Sequence, residues 1–207
     1  LGDVYKRQIV GISTSQSPGA ISIIRVSGEK ALEIVNQVFK GKDLTKVKSH
    51  TIHYGHIVDK TTNQIIDEVL VSVFLSPKSY TTEDLVEINC HGGLFVTNQI
   101  FELLVTLGAR TAQAGEFTKR AFLNGRMDLT QAEAVMDVIS AGSDLALKAA
   151  QTQLDGGIGA QVDELKDNLV HVLAHIEAYI DFPDEDISPD TASDLLARLR
   201  SMEEKLA

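Results

Sequence analysis

The chain lacks most of the features that mark secreted, membrane-spanning or multi-cysteine metal proteins. It has one cysteine, Cys90, in 207 residues, which excludes an internal disulfide framework and a multi-cysteine zinc site. No apolar run approaches the roughly 20 residues that cross a bilayer, and residues 1–8 lack the apolar core of a signal peptide. These absences favour a reducing compartment, so we expect a cytoplasmic protein without membrane contact.

Motifs for nucleotide hydrolysis and for metal binding are absent as well. Gly41-Lys42 is followed by Asp43 and has no upstream glycine, so this segment cannot form the P-loop of a nucleoside-triphosphate site. His171 and His175 have the spacing of a metal pair, but no glutamate follows His171 and no cysteine lies nearby. We interpret both histidines as solvated, and we assign no metal ligand and no catalytic residue.

Basic residues are scarce in the second part of the chain. Residues 126–207 carry 6 Lys and Arg against 17 Asp and Glu, a net charge of −11, whereas residues 1–125 carry 13 against 12. This asymmetry predicts two domains with different partners. It also argues against binding of a nucleic-acid backbone by residues 126–207, because phosphates are bound by Lys and Arg.

Hydrophobic periodicity predicts an α+β fold in two parts. Residues 9–124 contain short β-branched runs and amphipathic stretches, which predict a β-sheet domain with flanking helices. One of these helices carries Leu32, Val35 and Phe39 on one face. Residues 125–207 show helical stripes alone and predict an all-α antiparallel domain. The predicted strands lie at 9–13, 20–26, 51–58, 65–75 and 85–90.

Capping and breaking signals position the helices of the second part. The segment 130–133 (TQAE) has the pattern of a capping box and predicts a helix from there to about Leu154. Gly156-Gly157 ends it, the next helix stops at Phe182-Pro183, and a last helix begins near Pro189.

Both ends suggest a fragment of a longer protein. The last predicted helix has no stop signal before the chain ends. At the other end, residues 3–8 resemble a translated sequencing adapter, so we expect residues 1–8 to be a non-native scar.

Two charged residues occupy predicted strands and are candidates for ligand binding. Arg25 lies among Ile23, Ile24 and Val26, and a charge in such a strand needs a partner or a ligand. Glu87 is a lone carboxylate in another strand, on the face opposite the apolar residues. The alternatives are that both side chains lie on the solvent face or that they pair with each other.

Five separated blocks resemble, in order and spacing, the N-terminal part of the MnmE (TrmE) family of tRNA modification GTPases. The likeness covers residues 9–207. It departs from the family at Ala114, where proline is usual, which affects the rigidity of that turn. The blocks are residues 20–28, 49–59, 79–93, 115–139 and 180–186.

The resemblance implies a tetrahydrofolate-binding and dimerisation domain over 9–124, similar to that of aminomethyltransferases, and the first part of a helical domain over 125–207. It places the folate, typically 5-formyl-tetrahydrofolate, on Arg25, Glu87 and Arg126, where some members have lysine at the last position. The family's GTPase domain, which uses GTP, Mg and K, interrupts the helical domain and is missing from this chain.

The resemblance also implies partners and a reaction. The family acts as a homodimer with the flavoprotein MnmG (GidA), and forms a 5-carboxymethylaminomethyl-type group on the wobble uridine of tRNAs with a one-carbon unit from the folate. The residue chemistry agrees with the folate site. A pterin amino group and ring N–H suit the Glu87 carboxylate, and the carboxylates of the folate tail suit the guanidinium of Arg25 or Arg126.

Two alternatives have a different function. An independent folate-dependent aminomethyltransferase would share the first domain, but the helical blocks match the GTPase family instead. A dimerisation scaffold without a ligand would not need Arg25, Glu87 and Arg126.

Overall fold

The structure is a computed structural model that describes residues 7–15, 17–181 and 192–206. The chain divides into two compact units, of which the first ends at Met127 and the second begins at Asp128. The first unit combines strands and helices, whereas the second contains helices. The predicted α+β class is therefore confirmed.

The strands of the first unit build one sheet. Within the described residues, this sheet has seven strands in the order β3-β4-β5-β6-β2-β1-β7. All neighbours are antiparallel except β1 and β7, which are parallel. The strands are β1 (Ile9–Ile12), β2 (Ile21–Ser27), β3 (Phe39–Lys40), β4 (Thr51–Asp59), β5 (Gln64–Phe74), β6 (Leu85–His91) and β7 (Arg110–Thr111).

Helices α1 (Ala31–Val38) and α2 (Leu94–Thr106) cover one face of this sheet. Alternation along β2 and β6 directs every second residue into this layer, since successive side chains of a strand point to opposite faces. Each fully buried aliphatic side chain stabilises the layer by about 1.5–3 kcal/mol. The core contains Ile24, Val26, Val71, Val73, Val86 and Ile88 from the strands and Ile34, Val35, Ile100 and Leu104 from the helices.

The opposite face of the sheet carries Arg25 and Glu87, and the short helix α3 (Glu116–Leu123) lies against part of it. α3 begins after Gly115, whose φ is +72°. This face is where the candidate site lies.

The predicted helical position of Phe39 is wrong. α1 ends at Val38, and Phe39 has extended backbone with φ −85° and ψ 118°. It begins β3, where it pairs with Ile57 of β4. Phe39 is buried in the core, so tertiary packing of the ring against the sheet outweighs a helical continuation.

The second unit consists of α4 (Leu129–Ser140), α5 (Asp144–Leu154), α6 (Gly157–Asp181) and α7 (Ala192–Leu206). The predicted single helix from Thr130 to Leu154 is wrong, because it is two helices. Ser143 starts the second of them as an N-cap whose hydroxyl accepts from the Ala146 N–H at 3.2 Å. Gly142 and Ser143 therefore lie in the break between the two helices, and Ser143 caps the second one.

The predicted capping box at residues 130–133 is also wrong. The N-cap of α4 is Asp128, whose carboxylate accepts from the Gln131 N–H at 2.8 Å. The Gln131 side chain accepts from the Asp128 N–H in return, at 2.9 Å. A capping box with the same reciprocal hydrogen bonds is present, but its N-cap lies two residues earlier than predicted.

The predicted helix break at Gly156-Gly157 is confirmed, since Gly156 has φ +86° between α5 and α6. The predicted stop at Phe182-Pro183 and the start near Pro189 lie outside the described residues. Within the described part, no helix is both long and apolar enough to cross a membrane.

Candidate functional site

The centre of the site is an ion pair between two adjacent strands. Arg25 on β2 and Glu87 on β6 are direct partners in the sheet register. Both the Arg25 Nε and Nη2 donate to Glu87 Oε1, at 2.9 and 2.6 Å. The side chains are 24% and 20% exposed. Within the described residues, the Oε2 of Glu87 and the Nη1 of Arg25 have no hydrogen-bond partner, so the pair keeps one acceptor and one donor for a ligand.

Two aromatic rings flank this ion pair. The Arg25 Cζ lies 5.3 Å from the centroid of Tyr80 and 5.5 Å from that of Phe117. Phe117 projects from α3 onto Gly11, which is opposite Arg25 in the β1–β2 register. A Cβ at Gly11 would lie 2.9 Å from the Phe117 ring, so glycine is what allows the ring to reach the sheet.

Arg126 reaches the same place from the loop after α3. Its Cζ is 4.8 Å from the centroid of Tyr80, and its Nη1 donates to the Tyr80 carbonyl at 2.9 Å. The two guanidinium carbons of Arg25 and Arg126 therefore lie within about 10 Å of each other, both close to the Tyr80 ring. The structure thus brings all three predicted residues together.

Tyr80 joins the predicted residues and was missed by the sequence reasoning. Its hydroxyl is 2.9 Å from the Thr118 hydroxyl of α3, which fixes the ring. The available signal was an aromatic residue inside the block 79–93, but the facing guanidinium groups come from positions 55 residues before and 46 after it.

An open pocket of about 460 Å³ continues from Tyr80. Its lining includes two basic side chains, Lys78 and Arg126, and the rings of Phe74 and Tyr80. The residues are His50, Phe74, Pro77, Lys78, Ser79, Tyr80, Thr82 and Arg126.

A nearly buried ionic cluster holds α3 in place beside the site. Arg120 is 4% exposed and donates to Glu83 at 3.1 and 2.9 Å and to the Arg7 carbonyl at 2.8 Å. Glu116 is 5% exposed and accepts from Arg110, Arg120 and the Gln113 N–H. Burial raises the pKa of Glu116, but the hydrogen bonds from Arg110 and Gln113 and the two guanidinium charges outweigh it, so its pKa lies below the ordinary value.

The remaining predicted features belong to structure rather than to this site. Cys90 is buried and His91 is exposed, so the two do not form a dyad. Gly92 is in close contact with the backbone of Gly19, whose N–H donates to its carbonyl at 3.0 Å, so this glycine serves chain packing. In the described part of the chain, no three His, Cys, Asp or Glu side chains converge as metal ligands.

Comparison with known proteins gives the family. The family model described as the GTP-binding protein TrmE N-terminus matches residues 8–126, and the model of the MnmE helical domain matches residues 129–207. The chain belongs to the MnmE (TrmE) family. Its first unit is the N-terminal part of that family and its second unit belongs to the helical domain.

Curated relatives agree with this assignment. The tRNA modification GTPase MnmE of Akkermansia muciniphila is 63% identical over 201 residues, which are 97% of this chain and 44% of the relative. The proteins of the same name from Lacticaseibacillus paracasei and Lactobacillus delbrueckii are 54% and 56% identical and are each covered to 43%. The chain thus spans less than half the length of these relatives.

Proposed function

We propose that this chain is the folate-binding and dimerisation region of a tRNA modification GTPase, with 5-formyl-tetrahydrofolate or a related tetrahydrofolate as its ligand. The observation that carries the proposal is the Arg25–Glu87 pair, which is partly exposed beside two aromatic rings and in which Glu87 Oε2 has no hydrogen-bond partner among the described residues. A carboxylate of this kind suits the amino group and ring N–H of a pterin.

The three charged residues then have separate roles. Glu87 accepts from the pterin, and Arg25 orients the Glu87 carboxylate through two donated hydrogen bonds. Since Arg25 is engaged by Glu87, Arg126 is the better partner for the tail carboxylates. Tyr80 and Phe117 supply flat apolar surface for the aromatic rings of the ligand. A bound 5-formyl-tetrahydrofolate would supply the one-carbon unit of the reaction.

Calorimetric titration with 5-formyl-tetrahydrofolate tests these roles. Glu87→Gln is expected to weaken binding about tenfold or more, because a hydrogen bond to a charged group contributes about 1.5–3 kcal/mol. Arg126→Gln is expected to weaken it by a similar factor. Glu33→Gln is the matched control, since Glu33 lies exposed on α1, which covers the opposite face of the sheet.

The site assignment fails if wild type binds and both variants bind with unchanged affinity. The folate proposal itself fails if the wild-type chain shows no binding at all while its circular dichroism remains that of a folded α+β protein.

The uncovered part of the site-bearing sheet face supports self-association. Ile52 and Tyr54 of β4 and Leu70 of β5 are 66%, 60% and 48% exposed, and Ile21 of β2 is 64% exposed. The strand register puts these four residues on the face of Arg25 and Glu87. A contiguous apolar surface of this kind is typical of an interface, and we infer that a second copy of the chain covers it.

Sedimentation measurements test the dimer. Ile52→Lys and Leu70→Lys together are expected to convert a wild-type dimer into a monomer, since two buried like charges oppose docking. Ile65→Lys is the control, because Ile65 is an exposed apolar residue at the far end of the β4–β5 hairpin. A dimer that persists in the double variant contradicts this interface.

The activity of the whole protein is part of the same proposal. The curated relatives are named as tRNA modification GTPases, and we propose GTP hydrolysis with Mg and K in a domain outside this chain. We further propose MnmG as the partner and tRNA wobble uridine as the substrate, in the cytoplasm. The 207-residue chain should show no GTPase activity above background, whereas the longer protein that contains it should hydrolyse GTP.

A further inference from the structure

The pocket beside Tyr80 has an excess of unpaired positive charge. Lys78 and Arg126 both line it, and within the described residues neither lies within 4 Å of a carboxylate oxygen. Arg25, Arg110 and Arg120 of the same unit are all paired with glutamates. The pocket therefore offers two cations without a carboxylate partner among the described residues, which favours an anionic ligand.

A third polar group faces the same space. His50 lines the pocket, and its Nδ1 is 2.8 Å from the Ser49 hydroxyl. That is the only hydrogen bond of the ring within the described residues, so Nε2 keeps its capacity for a ligand. The His50 ring also packs edge-on against Phe74, with centroids 5.4 Å apart, which holds its orientation.

The pocket wall is preformed by a loop that hydrogen-bonds to itself. The Ser76 hydroxyl donates to the Thr82 carbonyl at 2.8 Å, and the Ser79 hydroxyl donates to the Glu83 carbonyl at 2.5 Å. Thr82 has φ +61°, a left-handed conformation that is costly for a β-branched residue. Such strain persists where the surrounding contacts determine the backbone, as at binding sites.

We infer that this pocket receives the γ-linked glutamate chain of the folate, and that the protein prefers folates with several glutamates over the monoglutamate. This inference rests on the proposed folate site. Every added γ-glutamyl unit brings one more carboxylate, whereas the pterin end stays the same. Arg126 takes the first carboxylate, because it contacts the same Tyr80 ring as Arg25. Lys78 and His50, which line the same pocket, take those that follow.

The test compares calorimetric affinities of the 207-residue chain for 5-formyl-tetrahydrofolate with one glutamate and with five. Wild type is expected to bind the pentaglutamate at least about tenfold more tightly, and the gain should shrink with added salt, since exposed charges are screened. Lys78→Gln is expected to remove most of this gain and to weaken monoglutamate binding by about twofold at most.

Lys60→Gln is the charge-matched control. Lys60 is exposed in the β4–β5 turn, about 30 Å along β4 from His50 at the strand spacing of about 3.3 Å per residue. It should leave the ratio of the two affinities unchanged.

The outcomes separate the two proposals. Equal affinities of wild type for both folates overturn the inference and leave the folate site standing. A pentaglutamate gain that survives in Lys78→Gln also overturns it, since the gain then comes from elsewhere. Absence of binding for either folate overturns the proposed function and the inference together.

Discussion

Two ion-pair arrangements on the same sheet face differ in how completely their charges are enclosed. Arg120 and Glu116 are 4% and 5% exposed and have additional bonds to Glu83, Arg110 and the backbone. Arg25 and Glu87 are 24% and 20% exposed and use a single acceptor oxygen between them. The charges of the first arrangement are bound by partners inside the protein. The second arrangement keeps part of its hydrogen-bonding capacity for a ligand.

This difference separates a structural role from a binding role. Buried ions whose partner is removed are strongly destabilising, because water does not reach them to compensate. A partly exposed pair is partly compensated by water, so its loss costs less stability. A ligand that replaces that water gains hydrogen bonds from the open atoms. The Arg120 cluster thus has a structural role, in that it positions α3 and Phe117. The Arg25–Glu87 pair is the one with atoms available to bind a ligand.

The largest expected effect is in the buried cluster. Arg120→Met leaves Glu83 and Glu116 without their shared partner, and should lower the free energy of unfolding by about 3–5 kcal/mol. Urea denaturation followed by circular dichroism measures it. Lys42→Gln, at an exposed site, should change it by less than about 0.5 kcal/mol. A loss below about 1 kcal/mol in Arg120→Met would remove the distinction between the two arrangements.

The partly exposed Arg25–Glu87 pair should behave in the opposite way, with a small effect on stability and a large effect on binding. Glu87→Gln is expected to lower the free energy of unfolding by at most about 1 kcal/mol, while it weakens folate binding about tenfold or more. Denaturation measures the free energy of unfolding and calorimetry measures the folate affinity, both on the same preparation. A large stability loss with unchanged affinity would make this pair structural.

The next largest effect is expected at low pH, where the buried cluster should lose part of its stabilising contribution. The pKa of Glu116 is lowered in the folded state, so its contribution is complete above the ordinary value of 4.5 and is lost as pH falls through the lowered value. The free energy of unfolding should therefore fall below about pH 4.5, and less steeply in Glu116→Gln. Equal slopes for the two proteins between pH 5 and about 2 would contradict this assignment.

The smallest effect is expected at an exposed third pair on the same sheet. His91 Nδ1 is 2.7 Å from Asp67 Oδ1, and the imidazole is 70% exposed. The hydrogen bond and charge of Asp67 raise the pKa of His91 above 6.5. Stabilisation by this pair is therefore complete below pH 6.5 and is lost as pH rises through the raised pKa. Asp67→Asn should return the pKa towards 6.5 in an NMR titration, and an unchanged titration would exclude Asp67 as the cause.

Local patterns predicted much of the first unit and part of the second. The alternation in β6 was enough to place Glu87 away from the core, because side-chain direction follows from strand geometry. For Arg25 the sequence predicted only the need for a partner or a ligand. Helix breaks at glycines with positive φ, as at Gly156, were predicted for the same local reason. The errors at Phe39, Asp128 and Ser143 occurred where two local signals competed and side-chain packing or capping decided between them.

By itself, the sequence determined the family and the α+β class and predicted three charged residues for the candidate site, because the family blocks and the strand and helix periods lie in short segments of chain. The tertiary structure alone decided that Arg25 and Glu87 are register partners, that Tyr80 lies within reach of both arginines, and that Lys78 and Arg126 share a pocket. These contacts join segments up to 62 residues apart. The strand register and the packing of α3 set them, and neither is encoded in a local period.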